Sequence, residues 1–209
     1  MIRKADARVS SPVRQILIGT RNIKKREEIL EILRELPVEF LGLERFPSLP
    51  EVLEDGHSFQ ENAIKKATTL ARLSGLWVMA EDSGLEVDAL GKEPGVFSAR
   101  YAGEGATYEE NNSKLLKALE GVPTPRRTAT FRCAVALARP EGLIFVVEGS
   151  CKGLIAQEPR GRHGFGYDPV FYLPEYKKTF AELGPEIKNR LSHRTQALKR
   201  FKEKLLELF

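Results

Sequence analysis

Four short stretches of this chain hold side chains that could do chemistry together. The first is acidic. Glu54 stands in a polar loop, and Asp82 follows the apolar run Leu76–Ala80 within Glu81-Asp82-Ser83-Gly84. That run reads as a buried strand, so Asp82 is expected at its carboxyl end, where open α/β sheets place their ligands. Glu81 and Asp82 are neighbours and would point to opposite faces of a continuing strand, leaving only one of them to face a cleft. If the Glu54 loop folds beside Asp82, two carboxylates meet, a donor set suited to Mg²⁺ with waters and phosphate oxygens completing its shell. Ser83-Gly84 would let the backbone approach a ligand closely. The second stretch is Thr20-Arg21-Asn22-Ile23-Lys24-Lys25, a strand-to-helix turn with hydroxyl, amide and ammonium groups at a helix N-terminus, a seat for phosphate. It is not a Walker A loop, because the glycines and the Lys-Ser/Thr pair are missing. The third is Gly161-Arg162-His163-Gly164-Phe165-Gly166-Tyr167-Asp168-Pro169, a Gly-rich loop with interleaved aromatics that could fold over a planar ring. The fourth is Lys188 with Ser192-His193-Arg194, whose Lys and Arg are donors suited to a purine 6-oxo group. No G-x-S-x-G elbow accompanies its Ser-His pair, which argues against a serine hydrolase.

These stretches need elements to position them. Gln15–Gly19 reads as a first buried strand. A helix follows, capped by Thr20 or Asn22, with Ile29, Ile32, Leu33 and Leu36 on its apolar face and Pro37 as its stop. Val38–Leu43 reads as a second strand, so the chain opens β-α-β and favours an α/β fold. Ser58-Phe59-Gln60-Glu61 has the form of a capping box, starting a helix that runs to Ser74 and stops at Gly75. Leu85–Leu90 is strand-like, Thr107-Tyr108-Glu109-Glu110 is a second capping box, and 128–138 with 143–153 form a long hairpin. Val170–Leu173 is a short strand, and Ser192–Phe209 is a basic amphipathic helix. The pattern predicts one α/β unit: a mixed central sheet with flanking helices, in two lobes around a cleft.

Composition narrows the class. The chain has 209 residues, 42% hydrophobic and 30% charged, an ordinary globular balance. No apolar run approaches the roughly 18 residues of a membrane-spanning helix. The net charge of +4 is unevenly placed: Arg3, Lys4, Arg8 and Arg14 stand against Asp6 in the first 14 residues. Residues 1–14 are therefore expected to be a disordered basic extension, and 15–209 a single domain. The excess argues only weakly for nucleic-acid binding by the folded body. Two cysteines, Cys133 and Cys151, make neither a disulfide scaffold nor a zinc site and read as core thiols in a reduced, cytoplasmic setting. The N-terminus lacks the apolar segment of a secretory signal.

Six pieces of sequence, in order from about Ile16 to Leu205, resemble the inosine-triphosphate pyrophosphatase family. They are Thr20-x-Asn22-x-x-Lys25; Glu54-Asp55-Gly56-x-Ser58-Phe59-x-Glu61-Asn62-Ala63-x-x-Lys66-Ala67; Asp82-Ser83-Gly84-Leu85-x-Val87-Asp88-Ala89-Leu90; Pro94-Gly95-Val96-x-Ser98-Ala99-Arg100-Tyr101; Gly164-Phe165-Gly166-Tyr167-Asp168-Pro169; and Ser192-His193-Arg194. The resemblance implies a nucleotide-binding cleft between two lobes and hydrolysis of ITP, dITP and XTP to the monophosphate and pyrophosphate. It also implies a Mg²⁺ cofactor and a homodimer, with no nucleic-acid or membrane partner. On the family pattern Asp82 is the general base or a metal-bound carboxylate, and Glu54 is a metal ligand. Thr20, Asn22, Lys25 and Lys66 would hold the phosphates with Ser83 near them. Phe165 would stack on the base within the loop that includes Gly166 and Tyr167, and Asp168, Lys188, His193 and Arg194 would read base and ribose. The chain departs from the family at Lys24, where Gly is usual, and at Glu81, where Asp is usual.

Two expectations follow. An ordinary Asp, with a pKa of about 3.9, is a poor base at pH 7, so the metal's lowering of the water pKa must do much of the work and an alkaline activity optimum is expected. If Lys188 and Arg194 donate to a 6-oxo group, adenine leaves them unpaired, and ATP should be rejected more strongly than GTP.

Overall fold

The computed structural model describes residues 14–209, so the expected N-terminal extension lies outside the described residues except for Arg14, which opens the first strand. The elements are β1 (Arg14–Ile18), α1 (Ile23–Leu33), β2 (Val38–Gly42), α2 (Phe59–Ser74), β3 (Trp77–Val87), α3 (Tyr108–Ala118), β4 (Thr128–Arg139), β5 (Gly142–Ile155), β6 (Phe171–Leu173), β7 (Lys178–Thr179), α4 (Phe180–Leu191) and α5 (His193–Leu206). Seven strands form one mixed sheet in the order β2-β1-β3-β4-β5-β6-β7. β1 runs parallel to β2 and β3, and the remaining pairs are antiparallel.

Local chemistry sets the ends of these elements. Asn22 caps α1 by accepting the Lys25 N–H at 3.1 Å. α1 stops at Leu33, ahead of the Leu36-Pro37 step, where the proline ring disfavours helical geometry in the residue before it. Gly75 ends α2 in the left-handed conformation (φ 71°), which costs glycine no Cβ clash. Ser58 caps α2 by accepting the Glu61 N–H, but the Glu61 carboxylate accepts the His57 N–H instead of returning to Ser58, so the expected box is one-sided. The Thr107–Glu110 box is reciprocal.

The sheet corrects one expectation. Asp82 does not end a strand: β3 continues through Asp82-Ser83-Gly84 to Val87, paired with β4 from Val78–Ala138 to Val87–Ala129. Gly84 serves close packing here, since a Cβ on it would lie 2.4 Å from Ser98 Oγ and 2.7 Å from the Gly95 carbonyl. The strand that does end is β1. Its pairing with β3 stops at Ile18–Met79, the Gly19 N–H closes it on the Met79 carbonyl at 2.7 Å, and the chain turns off into α1. Past Met79 β1 no longer covers this edge of β3, and from Leu85 the 93–98 segment takes it over: Ser98 Oγ accepts the Leu85 N–H at 2.8 Å and the Glu93 carbonyl accepts the Val87 N–H at 3.1 Å.

One core packs α1 and α5 against Ile16, Ile18, Met79, Val135 and Val147. A second packs α2 against Leu17, Val78, Ala80, Ala134 and Ala136 on the other face. A third lies toward the far end of the sheet, where Leu85, Phe131, Tyr167, Phe171 and Phe180 meet α3. Cys133 and Cys151 are buried free thiols within these cores.

Candidate active site

The edge of β3 that β1 leaves lies between the first two cores and the third, and most of the candidate residues gather there. On the α2 face, Asp82 is held by two donors: Asn62 Nδ2 at 2.9 Å to Oδ2, and its neighbour's backbone, Ser83 N–H, at 2.9 Å to Oδ1. Asn62 is fully buried, and its Oδ1 accepts the Gly56 N–H at 2.8 Å, so one amide fixes both Asp82 and the loop that carries Glu54. Arg100 donates to the Glu54 carbonyl at 3.0 Å and pins the same loop from the opposite side. The Lys66 ammonium, one helical turn after Asn62, donates to the Glu54 carboxylate and, at 2.6 Å, to the Glu81 carbonyl on the open edge of β3.

Burial drives the Asp82 carboxyl above its usual range. Lys66 opposes that rise, while the nearby Glu54 charge adds to it. Lys66 stands between the two acids in charge, bonded to Glu54 and opposing the rise at Asp82. Among the described residues no cluster of three or more His, Cys, Asp or Glu side chains forms a ready cage. Two carboxylates with an adjacent cleft fit a hard cation that draws its other oxygens from water and substrate.

On the α1 and α5 face the neighbour, Glu81, is engaged differently. Its carboxylate takes Arg194 in a fork, Nε to Oε2 at 2.7 Å and Nη2 to Oε1 at 3.0 Å, and takes Lys25 Nζ at 3.1 Å. Burial works against this charge. The Arg194 and Lys25 cations more than offset it and hold the carboxyl far below its usual range. Burial presses hardest on Lys25, and the charges of Glu81, Asp82 and Glu54 together outweigh it, so the ammonium stays charged. Arg194 also pairs with Glu28, which reaches on to Lys188 at 2.9 Å. Lys188 bonds Asp168 at 2.6 Å, and Asp168 Oδ2 accepts the Phe165 N–H at 2.8 Å. Lys188 and Arg194 are 3% and 2% exposed, so they are interior cations paired with acids of this chain, and both line the cavity beneath Phe165. Burial raises the Asp168 carboxyl, and Lys188 opposes that rise.

The Phe165 ring covers these cations, 4.5 Å from Lys188 Nζ and 5.6 Å from the Arg194 guanidinium carbon. Gly164 and Gly166 flank it at φ 79° and 62°, backbone that a residue with a Cβ adopts only under strain. Beneath Phe165 is a cavity of about 100 Å³ lined in part by Asn22, Lys25, Ser83, Tyr167, His193 and Arg194. A larger one of about 420 Å³ lies on its other side between α1 and α4, and Phe165 and Lys188 border both. His193 stacks on Phe131 at 4.6 Å and 12°, and its buried Nδ1 has no hydrogen-bond partner. Burial and the nearby cations push its pKa well below the usual 6.5, so the ring is neutral.

Thr20 accepts the Asn22 N–H at 3.2 Å, and Asn22 Nδ2 reaches Tyr108 Oη at 3.5 Å across the cleft. Lys24 leaves the α1 cap intact. Its ammonium extends to the Gly164 carbonyl at 3.5 Å, so the departure from Gly adds a contact to the cleft mouth. Tyr167 Oη donates to the Ser98 carbonyl at 2.9 Å and anchors the loop from below. The residues that sequence reasoning left without a role are Asn62, Glu28 and Glu81. The signals for Asn62 were its place in the first turn of a helix behind an acidic loop and its membership of the second family motif, which gave it no role.

The model of the Ham1 family matches residues 16–204. The chain is similar to the dITP/XTP pyrophosphatase of Desulforamulus reducens, 51% identical over 195 residues covering 93% of this chain and 97% of that one. The protein of the same name from Geobacter sulfurreducens is 51% identical over 191 residues, covering 91% and 96%. Among solved structures, a HAM1 protein from Coxiella burnetii superposes with a TM-score of 0.86 at 43% identity, covering 93% of this chain and all of that one. With nine-tenths of its length matched in sequence and in shape, the chain belongs to the Ham1 family.

Proposed function

We propose that this protein hydrolyses non-standard purine nucleoside triphosphates (ITP, dITP and XTP) to the monophosphate and pyrophosphate. The observation that carries the reading is the cluster of Asp82, Glu54 and Lys66 at the open edge of β3, beside a cavity roofed by Phe165. The names of the similar proteins point the same way.

On this reading Glu54 and Asp82 would hold Mg²⁺, which when bound would act as a Lewis acid, offsetting charge on the triphosphate and lowering the pKa of water. Asp82, fixed by Asn62 and Ser83 N–H, orients the attacking water toward the α-phosphorus and accepts its proton. Lys66 turns from Glu54 toward the phosphates, where with Lys25 it offsets charge on the leaving pyrophosphate. Thr20 and Asn22 face the phosphate chain from the start of α1. A cavity of about 100 Å³ is below the roughly 300 Å³ typical of ligand sites, so Phe165 moves to admit the base and then stacks on it. Arg194 and Lys188 present donors to the 6-oxo group, and neutral His193 and Asp168 complete the base and ribose contacts. The reading also includes a homodimer and a cytoplasmic location. Two buried free thiols suit a reducing compartment, and no described helix is long and apolar enough to cross a membrane.

The test is pyrophosphate release from ITP, XTP, dITP, GTP and ATP with and without Mg²⁺, with sedimentation of the same preparation for the dimer. Turnover of ITP, XTP and dITP well above ATP is expected. Equal rates on ITP and ATP, or none on any, would overturn the reading.

A further inference from the structure

An unbroken chain of alternating charges crosses the cleft: Lys25, Glu81, Arg194, Glu28, Lys188, Asp168. It begins at the α1 lysine assigned to phosphate and ends at the carboxylate that accepts the Phe165 N–H. Glu81 is the member where the two ends are joined. Its Oε1 takes Lys25 at 3.1 Å and Arg194 Nη2 at 3.0 Å on the same atom, while Oε2 takes Arg194 Nε at 2.7 Å. Glu81 is 2% exposed, and Ser83 Oγ also lies near Oε1 at 3.5 Å, so the carboxylate is enclosed by partners of this chain. On the opposite face of β3 stand Asp82, Asn62 and the Glu54–Lys66 pair. The geometry points to Glu81 as a positioning residue that couples base recognition to placement of the triphosphate, by holding Arg194 and Lys25 on one carboxylate.

The inference rests on the proposed pyrophosphatase activity and adds a rule for its selectivity. A bidentate Arg–carboxylate pair fixes the guanidinium plane as well as its position. When a 6-oxo base accepts from Arg194, the guanidinium draws less on the shared oxygen, and Lys25 is set relative to Glu81 for the phosphates. A base with an amino group at that position gives Arg194 no acceptor, and the shared oxygen keeps both cations. Discrimination then acts on turnover as well as on binding. The energy available is that of a charge-assisted hydrogen bond, enough for tenfold or more in rate.

The experiment compares kcat and KM for ITP and ATP in the wild type, Glu81→Gln and Glu81→Asp, alongside the Lys25→Gln single and the Glu81→Gln/Lys25→Gln double variant. Glu81→Gln is expected to lower kcat/KM for ITP at least tenfold and to narrow the ITP-to-ATP ratio by about tenfold. Glu81→Asp is expected to recover part of that ratio, and the double variant to lose less than the product of the two single losses. Equal loss on ITP and ATP with the ratio unchanged would show that Glu81 only supports the fold and would end the coupling claim. If Glu81→Gln fails to fold, Glu81→Asp decides: a wild-type ratio at reduced activity refutes the coupling and a narrowed ratio supports it. A wild-type enzyme that leaves ITP intact would refute the pyrophosphatase reading itself, a result distinct from either.

Discussion

The carboxylates of Glu81 and Asp82, adjacent in β3, serve opposite faces of one sheet. Glu81 is locked by Arg194 and Lys25 and kept ionised, while Asp82 faces Asn62 and a neighbouring acid and has its pKa raised by burial. Two acids one residue apart thus meet different surroundings, one a pair of cations and the other a buried amide and a second acid, because the strand alternates its sides.

Replacing Asp82 by Asn separates activity from stability. A general base contributes about 10²–10⁴-fold, so Asp82→Asn should lose at least about a hundredfold in pyrophosphate release. An acid whose pKa is raised in the fold contributes stability below its unfolded pKa and loses it as pH rises. At pH 7 the buried charge therefore costs stability, and urea unfolding should show Asp82→Asn as stable as the wild type or more so. A variant that is both active within tenfold and less stable contradicts the assignment.

His193 gives a pH signature of the fold. Its pKa is lowered well below 6.5, chiefly by burial, so the unfolded state binds a proton that the folded state refuses. The stability it contributes is present above the unfolded pKa and is lost as pH falls through it, by about 1.4 kcal/mol per unit. Between pH 7.5 and 5.5 the wild type should lose about 1.4 kcal/mol more than His193→Phe, which keeps the stack on Phe131. Parallel losses in urea melts at the two pH values would show the ring titrating freely.

Phe165→Ala removes the cover of the cavity and the proposed stacking surface. Base–aromatic stacking is worth about 1–3 kcal/mol, so kcat/KM for ITP should fall by about 10–100-fold, mostly through KM. Steady-state kinetics across ITP and inorganic tripolyphosphate provide the check, since the base-free substrate should be indifferent to the change.

Gly149→Ala tests how α5 is seated. A Cβ there would come 2.2 Å from the His193 carbonyl and 2.4 Å from the Ala197 amide, both backbone atoms that have no rotamer to yield. Overpacking of this kind costs about 1–3 kcal/mol and should also shift Arg194, one residue beyond His193. Thermal unfolding and ITP turnover should fall together; a melting temperature within a degree of wild type would show that α5 floats on the sheet.

Much of this was legible in the residues because it is local. Asn22, Ser58, Thr107 and Gly75 announce helix ends through their own side chains or lack of one, and the 128–138 and 143–153 runs announce the hairpin by alternation. α4 was missed because Gly184 (φ 78°) and Pro185 interrupt it, so no helical period survives in sequence, although Thr179 and Glu182 form a full capping box at its start. The continuity of β3 was hidden because Asp-Ser-Gly has the composition of a turn, and the packing of Ser98, the Gly95 carbonyl and Phe59 on Gly84 explains the glycine. The burial of Lys188 and Arg194 was illegible for a different reason. Charged residues near a basic helix look solvated until distant carboxylates, Glu28 and Glu81, are brought in to neutralise them.

The early end of β1 has a consequence for how the molecule meets its own kind. A long strand with a bare flank ordinarily invites another chain to add to it. In this fold the flank that β1 leaves is kept indoors, with the Lys66 ammonium docked on its Glu81 carbonyl and Ser98 and Glu93 accepting from the amides of Leu85 and Val87. The fold thus closes that flank with its own side chains and loop, and denies it to neighbours that would polymerise on it.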